Sequence, residues 1–203
     1  MKKLAMVFAA MLLMGGVTVA DGPSWTFVDL GITVGDGSED FFGGDTDGLS
    51  VAGSWGKGMF HIGGNYGQLN FIDADFDIWE LSAGINKGIT DNTDMYFDVF
   101  YEDWDEEDIG ITADRTGIAW GIRSMMTDDF ELSGGMTYNE FSINPGGFTL
   151  EADDVGFNFG MQYFVTDSLG LGFQYERFDF VYTDDFGTVD TARFYLRYSF
   201  GRK

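Results

Sequence analysis

The sequence predicts an all-β chain, a closed antiparallel up-and-down transmembrane β-barrel of about ten strands, with eight as the main alternative count. Three observations predict it. Apolar and polar side chains alternate in one segment after another, which is the period of an extended strand. The connections between these segments alternate between short and long. Glycine is abundant (30 of 203 residues), proline rare (2) and cysteine absent, so backbone pairing and packing must hold the fold without disulfides. The aromatic share of 17% opposes disorder despite the acidic composition.

The chain opens "MKKLAMVFAAMLLMGGVTVADG". Two lysines, an apolar run from Leu4 to Met14 and small residues up to Ala20 make residues 1–20 a secretory signal peptide with its cut at Ala20/Asp21. The apolar run is too short to span a bilayer as a helix. No later segment approaches the roughly 20 continuous apolar residues that a membrane helix needs. Residues 21–203 then form a single barrel domain.

Each expected strand shows its two faces. In 25–34, Val28, Leu30, Ile32 and Val34 lie opposite Asp29 and Gly31, and 48–56 follows as the second strand. In 59–69, Phe60, Ile62 and Tyr66 oppose His61, Gly63 and Asn65. In 77–88, Trp79, Leu81, Ala83 and Ile85 oppose Glu80 and Ser82; in 94–102, Met95, Phe97, Val99 and Tyr101 oppose Asp98. Segment 115–123 sets Ile118, Trp120 and Ile122 against Arg115, Gly117, Gly121 and Arg123. Segment 130–140 sets Leu132, Met136 and Tyr138 against Glu131, Ser133 and Gly135. Aromatic runs in 154–164 and 169–177 alternate with Asn158, Gly160, Gln162, Gly170, Gly172 and Gln174. The last strand, 190–200, carries "ARFYLRYSF", in which Phe194, Leu196, Tyr198 and Phe200 alternate with Arg193, Tyr195 and Arg197.

The links "GKG" (56–58), "ITDNTD" (89–94), "SMMTDD" (124–129) and "VTDS" (165–168) are short. "GDGSEDFFGGDTD" (35–47), "DWDEEDIGITAD" (103–114), "INPGGFTLEAD" (143–153) and "FDFVYTDDFGTVD" (178–190) are longer. Tight turns at one end and loops at the other suit an up-and-down transmembrane barrel. A soluble lipocalin-type barrel would need an apolar interior, whereas the polar stripe here carries acids and bases of both signs. Trp79, Tyr101, Tyr138, Tyr163, Tyr175, Tyr198 and Phe200 sit near strand ends on the apolar face, as an interfacial aromatic girdle would.

With these residues in view, the chain resembles the small outer-membrane β-barrel proteins of Gram-negative bacteria, in the broad OmpA-like, OmpX-like and small-porin sense. The hairpin "INKGITDNTDMYFDVFYE" (85–102) and the terminal "FYLRYSF" carry the resemblance. It implies a bacterial outer-membrane location reached through the periplasm. It also implies an assembly signal, formed by Phe194, Leu196, Tyr198 and Phe200, that is read by the barrel assembly machinery, although Gly201, Arg202 and Lys203 follow the last aromatic.

The formal net charge of −23 argues against a nucleic-acid partner. The expected interior holds a charge network, Asp29, Glu80, Asp98, Arg115, Arg123, Glu131, Arg193 and Arg197, which would pair structurally or gate a water path. Carboxylates crowd the expected outer connections, among them Asp36, Asp47, Asp77, Glu102, Asp103, Asp114, Glu140, Asp154, Glu176 and Asp190. Such a rim suits contact with outer-membrane lipid and lipopolysaccharide through divalent cations. "DADFD" (73–77) superficially resembles the start of an EF-hand loop, but Ile78 stands where the glycine should be and Gly84 where the final glutamate should be. No dedicated metal site, cofactor or catalytic residue is expected. His61, the only histidine, is expected inside near a tight turn as a hydrogen-bonded group. The first functional expectation is a small porin-like channel for ions or small solutes with an acidic rim. The alternatives are a non-conducting structural or adhesive barrel that meets lipopolysaccharide or a host surface, and, behind both, a lipid-modifying enzyme using His61.

Overall fold

The computed structural model describes residues 23–37, 44–71, 74–106, 110–144, 149–180 and 188–200. The expected signal segment 1–20, the tail 201–203, Asp73 of "DADFD" and the middles of the longer links lie outside the described residues. Ten strands follow one another: β1 (Phe27–Gly37), β2 (Gly44–Lys57), β3 (Phe60–Phe71), β4 (Ala74–Thr90), β5 (Thr93–Asp105), β6 (Thr112–Thr127), β7 (Phe130–Asn144), β8 (Leu150–Phe164), β9 (Leu169–Phe180) and β10 (Thr188–Ser199). Each pairs antiparallel with its sequence neighbours, and β1 pairs with β10 from Phe27↔Ser199 to Gly37↔Val189. The single sheet therefore closes on itself, which removes every free edge and excludes a two-sheet sandwich.

All ten expected strands are present, but most run further at the loop end. β4 starts at Ala74 rather than 77, β6 at Thr112 rather than 115, and β7 ends at Asn144 rather than 140. Acids assigned from the sequence to the outer rim, some beyond the expected strand ends (Asp36, Asp47, Asp103, Asp114) and others at those ends (Asp77, Glu102, Glu140, Asp154, Glu176, Asp190), are therefore all strand residues, and the alternation continues through them. Asp47, Asp77, Asp103, Asp114, Glu140 and Asp190 share the outward parity of the aromatic girdle. Glu102, Asp154 and Glu176 turn inward and line the lumen. The difference arises because carboxylates at a strand end lie beyond hydrocarbon or face a hydrated interior, so their low strand propensity is offset by ladder pairing.

The outer face is apolar and open. Leu49, Phe60, Leu81, Tyr163 and Leu171 are each 55–65% exposed, and they are joined by most outward residues between the two strand ends. An apolar belt running around a closed barrel is a surface made for hydrocarbon. The strands, 11–17 residues long, exceed the roughly 9–11 residues that a tilted strand needs to cross, and their surplus projects at the loop end. There the girdle's polar tips meet the outward acids. Tyr66 Oη donates to Asp77 (2.9 Å), Trp79 Nε1 to Asp103 (3.0 Å) and Tyr175 Oη to Asp190. At the other end tight turns close the hairpins, as at Gly58, whose φ of +63° suits a residue without Cβ.

Candidate functional site: the lumen

Inward parity on all ten strands defines a lumen containing a cavity of about 470 Å³. Its turn-end layer is tied by matched charges. Arg197 on β10 donates two hydrogen bonds to Asp29 on β1, each of 2.7 Å, with Asp29 only 1% exposed. This bidentate arrangement is the strongest geometry available to a guanidinium and a carboxylate. Phe27 lies beneath the same guanidinium at 3.6 Å. Arg193 Nε donates to Ser50 Oγ (3.0 Å), and its Nη1 stands 3.7 Å from Asp29. Arg123 Nε donates to Glu131 Oε1 at 2.9 Å.

Trp25, just before β1, crosses this layer. It stacks on His61 (centroids 4.3 Å apart, 24° between planes), lies 4.5 Å from the Arg123 guanidinium and donates Nε1–H to Asp94 Oδ2 at 2.7 Å. Its contacts span β3, β5 and β6, so the turn end is narrowed by an aromatic bar. His61 Nε2 lies 2.6 Å from Asp98 Oδ1. Asp98 reaches across Gly84, occupying the place where a Cβ on residue 84 would stand, so the pair exists only because that position is glycine. The Tyr195 ring likewise lies over Gly172. Among the described residues His61 Nδ1 is buried without a hydrogen-bond partner.

Towards the loop end the balance changes. Glu80, Glu102 and Arg115 are cross-strand neighbours on β4, β5 and β6, with Arg115 Nε 3.2 Å from Glu102 Oε1. Arg115 reaches across the lumen to lie 4.6 Å from the Phe178 ring on β9. Glu176 and Asp154 line the same cavity. Above this acidic group, Phe76, Ile78, Ala113, Phe141 and Ile143 form a buried apolar cluster, with Leu69, Trp104 and Val189 packed against it. Val189 belongs to β10, so the cluster bridges from one wall to the other.

The eight residues of the expected charge network all point into the lumen, but in two groups. Asp29, Asp98, Arg123, Glu131, Arg193 and Arg197 lie in the turn-end half; Glu80 and Arg115 lie in the loop-end half. Phe194, Leu196 and Tyr198 are exposed on the outer face, and Phe200 packs against Val28, Val51 and Tyr66. Sequence reasoning missed Trp25, the inward aromatics Phe100, Trp104, Phe141 and Phe178, and the inward turn of Glu102 and Asp154. The signal for the last group was parity, since Glu102 and Asp154 stand on the polar stripe at the ends of the expected strands 94–102 and 154–164. Parity also marks Trp25, which opens the expected strand 25–34 on the same stripe as Asp29 and Gly31. Among the described residues no group of His, Asp or Glu side chains is arranged to hold a metal ion.

No family model matches the sequence, and no curated protein matches it. Among solved structures, the barrel is similar to Neisserial surface protein A (16% identity, 87% of this chain and 98% of that one, TM-score 0.45). It is also similar to the outer membrane protease OmpT from Escherichia coli (12% identity, 87% and 95%, TM-score 0.44). A third is Ail, the attachment invasion locus protein of Yersinia pestis, in complex with the heparin analogue sucrose octasulfate (11% identity, 86% and 96%, TM-score 0.39). At these identities the likeness is one of barrel architecture.

Proposed function

We propose that the protein is a barrel of the bacterial outer membrane whose lumen forms a narrow, cation-preferring passage for ions or small solutes. The belt of exposed apolar side chains supports the membrane placement, with the short turns on the periplasmic side and the long links outside. The observation that carries the passage is the cavity of about 470 Å³ lined from every strand, in which Asp29, Glu80, Asp98, Glu102, Glu131, Asp154 and Glu176 outnumber Arg115, Arg123, Arg193 and Arg197. Carboxyl groups in a confined, low-dielectric path favour cations over anions. A non-enzymatic role fits His61, whose free ring nitrogen is sealed from solvent in a stack. Outside, the carboxylates above the aromatic girdle stand at the level of the outer leaflet's headgroups, where divalent cations would bridge them to lipopolysaccharide phosphates.

The test is single-channel recording of the protein refolded into a planar bilayer, alongside a gel-shift check of folding. Small, reproducible steps support the passage. Silence from inserted, folded barrels favours the second reading, a non-conducting barrel acting through its acidic outer surface. The apolar cluster across the loop end supports that second reading, because such a constriction excludes water.

A further inference from the structure

The apolar cluster at the loop end is built around one side chain that is not locked in place. Trp104 on β5 meets the Phe76 ring on β4 at 5.8 Å and the Phe141 ring on β7 at 6.0 Å, both edge-on. It reaches β7 because the strand between, β6, sets Ala113 opposite it, and so small a side chain leaves the way clear. Phe76 and Phe141 are buried, whereas Trp104 is half-buried and borders the lumen cavity. The indole therefore has open space beside it that a side-chain rotation can use, which a close-packed ring lacks. Among the described residues its polar tie is a single hydrogen bond within its own strand: Nε1 donates to Glu102 Oε1 at 2.6 Å. Glu102 is buried and held in turn by Arg115, whose Nη2 donates to Oε2 at 3.4 Å. Towards the turn end the wall turns polar, with Asn65, Ser82, Asn158 and Gln174 lining the cavity. An apolar constriction over such a chamber excludes water while closed and admits it once one bulky ring leaves.

We infer that the loop-end cluster is a gate in which Trp104 is the moving leaf and Glu102 its latch. With the latch made, the indole closes the mouth of the lumen against Phe76 and Phe141. With it broken, the ring turns aside along the cavity wall, and water and small polar solutes enter from the loop side. This rests on the hydrated lumen of the proposed function, though not on flow through it.

The chain contains no cysteine, so a single Ala119→Cys substitution, on the cavity wall turn-ward of Ala113, reports entry into the lumen. The full barrel is placed in phosphatidylcholine nanodiscs and its folding checked by gel shift. The rate at which trimethylammonioethyl methanethiosulfonate modifies the introduced thiol is then measured. Slow modification is expected while Trp104 and Glu102 are intact. Trp104→Phe keeps an aromatic ring but removes the N–H, and Glu102→Ala removes its acceptor. Each should speed modification about tenfold, and the two together should do no more than either alone. Trp104→Ala, which removes the leaf itself, should be faster still. A cluster that is merely packed gives no acceleration in Trp104→Phe, or accelerations that multiply in the double variant. Either result would overturn the proposal, as would fast modification with both residues intact. A barrel whose thiol obeys the latch without passing current keeps the gate and removes the passage; one that conducts with a thiol indifferent to Trp104 does the reverse.

Discussion

The two halves of the lumen are built from the same residue types but balanced differently. At the turn end Arg197 has Asp29, Arg123 has Glu131 and His61 has Asp98, and Trp25 lies across them. At the loop end Glu80, Glu102, Asp154 and Glu176 share the cavity wall with Arg115 beneath an apolar cluster. Buried charges persist when they are paired, and removing one partner strands the other. The turn end is therefore a brace for the closing β1–β10 seam, whereas the loop end holds more carboxyl groups than bases.

The largest expected effect comes from breaking the brace. Arg197→Ala removes both hydrogen bonds to Asp29, leaves only Arg193 at 3.7 Å beside the buried carboxylate and should cost about 3 kcal/mol. Urea titration of the folded barrel in vesicles would measure it; a loss as small as that of an exposed pair would remove the distinction between the halves. Next is Trp25→Ala, which deletes the stack on His61 and the contact with Arg123. A stability loss of about 1–2 kcal/mol should accompany a severalfold rise in conductance, and unchanged conductance would show that Trp25 does not narrow the path. The smallest effect belongs to the outer surface. Chelating divalent cations from lipopolysaccharide-containing vesicles should lower the barrel's melting temperature by a few degrees, an effect carried outside the lumen and absent in phosphatidylcholine.

Much of this architecture was legible in the sequence because a strand's period of two is rigid. Once Val28, Leu30 and Ile32 are assigned outward, Asp29 has no choice but to face in, and the same reasoning placed Arg193 and Arg197. Strand ends were less legible. Asp103 and Asp114 read as loop, and Glu102 and Asp154, at the ends of the expected strands, read as rim; yet all four lie in strands, with Glu102 and Asp154 on the inward stripe, because neighbouring strands hold their backbones in the ladder. The pairing of particular charges was not legible, since it depends on the stagger of strands around the barrel. Trp25 shares the inward parity of Asp29, but its partners were hidden: it contacts His61, Asp94 and Arg123, none of which is near it in sequence.

The central claim, that the unmatched carboxyl groups of the loop-end half choose what enters, is tested most directly by the reversal potential across a bilayer under a KCl gradient. The account predicts a clear cation preference for the wild type that falls towards neutrality in Glu80→Gln/Glu176→Gln, with the fold intact. A wild-type barrel that conducts without preference, or a preference untouched by removing both carboxylates, would contradict it.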